Sequence, residues 1–441
     1  MDTLISNVTV VTMNESMDVI FGGFVGIEKG KISYLAKKAP ADQPEKIIDG
    51  TGMVLMPGLH NCHAHLAGSL FRGYADGWNE EQLQWRQKAE TKFDERTVKA
   101  ASLLTIAEAL RLGTTCISDH YFFTDAVAEA AAESGIKANL CRAATLPEAE
   151  EEDFDVENDP GCAELYRLRE TCHGYDGGRV KIDAGFRSPA TSNYHLWEAM
   201  GTYAASEGLG LQYHLTESPK EREEILDRTG LTPAELMDCH HALGKNTCLT
   251  GLYGADAEEL SLIGRRKASA VLCPAAEPNL GLASPDLLTL AKAGINVALG
   301  SGCPSQGSMD LFEAMALLRR DARRATGDSQ AVPAAAALMT ATVCGARAQG
   351  REKECGMVKT GMDADLILVD FTIPRLMPCH NVLTCLADTA RGSDVVMTMV
   401  RGQVLYAAGK YTTIDLDAVV RELAEYAMPR VFGADKGESQ D

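Results

Sequence analysis

The chain has 441 residues, 45% of them hydrophobic and 24% charged, a globular composition that excludes wholesale disorder. With 42 Lys and Arg against 62 Asp and Glu the formal charge is −20, so nucleic acid and anionic membrane surfaces are excluded as main partners by repulsion. No window approaches the ~20 consecutive apolar residues of a membrane span, and the opening residues lack the basic and apolar segments of a secretory leader. Thirteen cysteines, an odd number with no Cys-x-x-Cys pair, do not form a disulfide framework, so a cytoplasmic protein with reduced thiols is expected.

In chain order, residues 1–56 read as short strands at Leu4–Thr12, Phe24–Glu28, Lys31–Ala36 and Met53–Met56, separated by turns such as Gly22-Gly23 and Lys29-Gly30-Lys31. From Glu90 helices alternate with short apolar runs. Thr97–Leu112 has helical spacing and ends at Gly113, and helices are also expected at Asp125–Ser134, around Leu196–Glu207 and from Pro219. Between them lie strand candidates at Leu59–His65, Thr114–Ser118, Ala138–Arg142, Val180–Ala184, Gly210–Leu215, Thr247–Thr250, Ala268–Leu272 and Asn296–Gly300. Eight such units in βα order predict a (β/α)8 barrel with its chemistry at the carboxyl ends of the strands.

Strands return at Leu366–Val369, Val395–Val400 and Gln403–Ala407, followed by helical periodicity over Leu416–Ala427 and a frayed tail from Gly433. The expected organisation is therefore a composite β-sandwich domain from residues 1–58 and 356–413, a barrel over 59–355, and a C-terminal helix and tail over 414–441. The acidic run 148–159 reads as a solvated loop between barrel units.

The most informative stretch is Pro57-Gly58-Leu59-His60-Asn61-Cys62-His63-Ala64-His65. Histidines at i and i+2 of a strand share a face, so His63 and His65 could reach one metal ion, and Cys62 should alternate away toward the helical layer. His214-Leu215-Thr216-Glu217 closes the fifth strand and offers a third imidazole with a carboxylate three residues on, suited to proton transfer. His120 ends the second strand and either reaches the pocket or packs. His240 and His241 are expected at the surface, and Trp85 and Phe71 serve either as pocket aromatics or as core.

These motifs, with Ser69-Leu70-Phe71-Arg72-Gly73, Gly113-Thr114-Thr115, Met309-Asp310-Leu311-Phe312-Glu313, Gly361-Met362-Asp363-Ala364-Asp365-Leu366 and Val400-Arg401-Gly402, resemble the amidohydrolase superfamily in its deaminase-like aminohydrolase/chlorohydrolase branch. The resemblance implies an α/β fold with a TIM-like barrel and a composite β-sandwich, a homodimer, and one divalent metal, Zn or Fe, on His63, His65 and His214 with Glu217 as proton carrier. It further implies hydrolysis of a C–N or C–Cl bond in a small heterocycle or amide.

Four positions depart from the family pattern. Gly251 stands where a histidine holds the attacking water, and Gly302 where an Asp is a metal ligand and proton acceptor. Arg187 stands where a histidine contacts substrate, and Cys273 where the pattern has a further histidine. Arg187 would suit an anionic substrate, with His120, Cys273 and Cys303 as further pocket residues. Three readings follow: a hydrolase with altered water activation, a pseudoenzyme that binds a small ligand, or a metal-free enzyme using Arg187, His120 and Cys303. Ordinary purine or triazine hydrolysis is expected to be slow or absent, and Gly302→Asp with Gly251→His tests whether the fold has kept a working pocket and lost only its water-activating groups.

Overall fold

The computed structural model describes residues 1–41, 43–75, 77–145, 155–156 and 158–433. Most of the acidic run and the tail beyond Gly433 lie outside the described residues. Eight parallel strands, Leu59–Ala64, Thr114–Tyr121, Lys137–Arg142, Val180–Gly185, Leu211–His214, Thr247–Thr250, Ser269–Leu272 and Asn296–Leu299, pair in sequence order. They are buried along nearly their whole length because a parallel sheet is covered on both faces, and polar residues such as Asn61, Lys137 and Asp183 are buried within them. The eighth returns to the first through Ser301 N and Gly302 N, which donate to His63 O at 3.1 and 3.0 Å.

The intervening helices begin and end where their caps dictate. Asp94, Asn193, Ser218, Asp256 and Asp310 accept from backbone N–H groups in the first turn of their helices, and Gly135, Gly208, Gly230 and Gly327 turn the chain out in the left-handed conformation. Asp310 does more than cap Leu311–Thr326, since its second oxygen accepts from Gly392 N at 2.8 Å.

The first strand breaks simple alternation. Its register against the second slips between Leu59 and His60 and again between Asn61 and Ala64. Cys62 consequently does not face the helical layer: it packs with Cys248, Val271 and Ala298 of the sixth to eighth strands, inside the barrel.

Strands from both ends of the chain form one nine-stranded sheet. Thr3–Val11 pairs with Val19–Glu28 and Met53–Pro57, and Met53–Pro57 pairs antiparallel with Leu366–Asp370, which continues to Val395–Val400, Gln403–Ala407 and Lys410–Tyr411. At the far edge Lys31–Ala36 comes back to residues 361–364, with Ile32 N on Met362 O and Gly361 N on Ile32 O, both at 2.8 Å. The sheet thus wraps its own core of Ile5, Val8, Val25, Ile32, Leu55, Leu366, Met397 and Met399. Lys46–Asp49, a mostly exposed strand beside Thr3–Ser6, carries no alternation and was not expected from sequence.

Barrel and sheet are joined by buried polar contacts. Lys137 of the third barrel strand is 1% exposed, and its Nζ lies 2.7 Å from both Asp363 Oδ2 and Asp365 Oδ2. The C-terminal segment is helical over Leu416–Glu422, widens into a π-turn at Leu423–Ala427 and resumes over Met428–Phe432, anchored by Tyr426 Oη donating to Asp94 at 2.6 Å. Among the described residues no helix is long and apolar enough to cross a membrane. All thirteen cysteines are free thiols.

Candidate functional site

The bulge that turns Cys62 inward sets His63 and His65 at the barrel mouth, where His214 meets them from the end of the fifth strand. The ring centres of His63 and His65 are 4.7 Å apart, those of His63 and His214 4.8 Å, and those of His65 and His214 5.7 Å. One nitrogen from each of the three lies within 4.8 Å of the other two, the only such metal-capable group among the described residues.

Backbone carbonyls fix two of the rings. His65 Nδ1–H donates to His120 O at 2.7 Å and His214 Nδ1–H to Arg187 O at 3.1 Å, leaving each Nε2 as a lone-pair donor. Burial, then repulsion from the neighbouring imidazoles, holds His63 and His65 well below the ordinary histidine range, and burial lowers His214 despite the nearby Glu217. Three neutral imidazoles are the ligand set of an open Zn²⁺ site, so the donors fit a divalent metal.

Glu217 stands beside this cluster but is not free. Arg187 grips it bidentately, Nε to Oε1 at 2.9 Å and Nη2 to Oε2 at 3.0 Å. Burial works against the charged carboxylate, yet Arg187 and His214 together bring Glu217 below the usual glutamate range. Arg187 therefore acts twice: its carbonyl oxygen orients His214 and its guanidinium holds Glu217.

The two glycines are not equivalent. Gly251 has φ +67°, and a Cβ there would lie 1.9 Å from Thr216 O; its own carbonyl accepts from Thr216 N at 2.8 Å. Gly302 also has φ +67°, but the nearest atom to a Cβ is the Ala276 methyl at 3.1 Å. Residue 302 is therefore the less crowded of the two, although its left-handed backbone strains any side chain, and Gly251→His does not restore an imidazole without moving the end of the fifth strand. Cys303 Sγ pairs with Ser305 Oγ at 3.1 Å, and Gly68 makes room for it, since a Cβ there would stand 2.3 Å from the sulfur. Cys273 is buried, and burial pushes its thiol far up. His120 is 1% exposed at the pocket wall. His240 and His241 lie at the surface, His240 paired with Glu198 at 2.8 Å.

A cavity of about 590 Å³ opens above the imidazoles, within the size of small-molecule sites. One wall comes from Glu80–Glu90, a helix with no apolar stripe that sequence periodicity does not reveal; the signal for it was the Asn79-x-x-Gln82 capping box. It brings Arg86 and Glu90 into the wall, paired at 2.9 Å, with Tyr121 Oη also donating to Glu90. Trp78, Tyr121, Phe122 and Tyr253 supply the aromatic lining. Trp85 instead stacks on Tyr74 at 3.5 Å, and Phe71 is fully buried against Phe93.

The chain is 34% identical to the 5-methylthioadenosine/S-adenosylhomocysteine deaminase of Moorella thermoacetica, over 96% of this chain and 98% of that protein. It is 33% identical to the 5'-deoxyadenosine deaminase of Methanosarcina mazei, over 97% and 98%. Among solved structures, a zinc-bound adenosine deaminase from Xanthomonas campestris superposes with a TM-score of 0.89 at 25% identity, covering 98% of each chain. The zinc complex of atrazine chlorohydrolase from Arthrobacter aurescens gives 0.86 at 23% identity over 96% of this chain and 99% of that one, a likeness of fold. The amidohydrolase family model matches residues 54–405, and with the barrel, the composite sheet and these relatives it shows that the chain belongs to the amidohydrolase family.

Proposed function

We propose that this protein is a metal-dependent hydrolase that cleaves a C–N bond, other than a peptide bond, in a small adenosine-like heterocycle, with weakened water activation. The observation that carries the reading is the trio of imidazole nitrogens within 4.8 Å of one another under a cavity that also presents Glu217. The named substrates of the relatives, methylthioadenosine, S-adenosylhomocysteine and 5'-deoxyadenosine, set the class of heterocycle.

His63, His65 and His214 would hold the ion, which when bound supplies Lewis acidity for activating water. Glu217 receives a proton at Oε and returns it to the departing nitrogen, while Arg187 keeps the carboxylate ionised and fixed. The aromatic wall of Trp78, Phe122 and Tyr253 excludes bulk water and suits a flat ring. Neither residue 251 nor residue 302 brings a proton acceptor, so turnover is reduced by the ~10²–10⁴-fold that each general acid–base group typically contributes.

A second reading, ligand binding without turnover, draws support from the bidentate grip on Glu217, which lowers its basicity. Use of Cys303 as a nucleophile has no such support: its thiol pairs with Ser305, and among the described residues no imidazole hydrogen-bonds it. Metal analysis and ammonia release from adenosine-type nucleosides separate the readings. The hydrolase should carry about one ion per chain, and Glu217→Gln should remove its activity by at least ~10²-fold with the metal retained. Metal and nucleoside binding with no ammonia release would leave the second reading standing.

A further inference from the structure

A fourth imidazole stands beside the three-imidazole cluster, outside the group whose nitrogens lie within 4.8 Å of one another. His120 reaches the same space from the second barrel strand. Its ring centre is 5.1 Å from that of His214, 6.0 Å from His63 and 6.3 Å from His65. With the other three separations, all six edges of the figure formed by the four rings fall between 4.7 and 6.3 Å. Four imidazoles bound at about 2.0–2.1 Å around one tetrahedral ion hold their ring centres about 5 Å apart, within that range and nearer its lower end.

The protonation pattern is equally specific. His120 Nε2–H donates to Phe186 O at 3.0 Å, so Nδ1 carries the lone pair. That nitrogen is buried and has no hydrogen-bond partner, on a residue only 1% exposed. An orphaned buried acceptor is uncommon, and among the described residues His60 Nε2 is the only other imidazole nitrogen left so. Beside it stand three further neutral imidazoles, two of which also keep Nε2 free because their Nδ1 protons are committed to carbonyls, with the Arg187 guanidinium also nearby. Lone pairs cannot satisfy one another, whereas a single cation satisfies all of them. Gly302, across the mouth, offers no side chain to compete.

We infer that His120 is the fourth protein ligand of this metal site, through Nδ1. This rests on the metal-binding reading above and adds to it. The centre becomes four-imidazole, uncharged before the ion enters, and any water or substrate atom must enter as a fifth group.

X-ray absorption on the full chain loaded with Zn²⁺, and optical spectra of the Co²⁺ form, count the ligands directly. Four imidazoles per ion are expected. His120→Gln should lower Zn²⁺ affinity, measured against a competing chelator, by at least the ~10–100-fold seen when a partner of a ligand is lost. In that background Gly302→Asp should recover part of the loss, while His240→Ala at the surface should change nothing. Should His120→Gln fail to fold, the ligand count of the unaltered protein decides alone. One ion held by three imidazoles, with affinity unchanged in His120→Gln, overturns the inference and leaves the metal reading intact. Absence of bound metal after supplemented expression overturns both.

Discussion

At the scale of single residues the site is governed by Arg187, which sequence comparison presents only as a departure at a substrate-contacting position. Its guanidinium stabilises the charged form of Glu217, so that carboxyl is held low. Replacing Arg187 with Met removes this stabilisation, leaves burial against the weaker pull of His214 and Arg86, and must raise the Glu217 pKa. A base that needs to be ionised then fails at higher pH, so the acid limb of the kcat/KM profile should move upward in Arg187→Met; an unmoved limb would show that Glu217 is not the titrating base. Gly302 and Gly251 show how position overrules pattern. The pattern treats both as missing functional groups, yet at residue 251 the Thr216 carbonyl leaves no volume for a side chain, a close approach that sequence does not show.

At the scale of elements, most of the architecture was legible. Val395–Val400, Gln403–Ala407 and Thr247–Thr250 fall where turn signals and apolar runs place them, because parallel or covered strands need continuous apolar sequence. What escaped has a physical reason in each case. Lys46–Asp49 is a short, largely exposed strand, and Glu80–Glu90 is held by its cap and by ion pairs, so neither writes a period into the sequence. Cys62 was misplaced because period-two reasoning assumes an unbulged strand. The Asp363-Ala364-Asp365 motif, read from sequence only as family resemblance, clasps Lys137 between two carboxylates and so ties sheet to barrel. Lys137→Met leaves Asp365 buried without its cation, while Asp363 keeps Lys31 at 2.8 Å, and should cost about 3–5 kcal/mol, visible as a lowered denaturant midpoint. A loss under ~1 kcal/mol would mean that the clasp contributes little to stability.

At the scale of the molecule, the sheet depends on both ends of the chain. A protein truncated after residue 355 would lose Leu366–Asp370 and the three strands beyond it, baring Leu55 and Met56 along an unpaired edge. It should aggregate on expression, as light scattering or gel filtration would show, and a soluble folded monomer would contradict the pairing. The same pairing sets a timetable. Pro57 faces Leu366 in the finished sheet, so about 300 residues must be synthesised between one strand and its neighbour. At ~5–20 residues per second, Met53–Pro57 spends roughly 15–60 s at the ribosome with one side bare. During that interval the whole barrel is emerging between the two halves of the sheet. The last strands to leave the ribosome therefore close a seam opened by the first, and the nascent chain stays vulnerable until nearly all of it has been made.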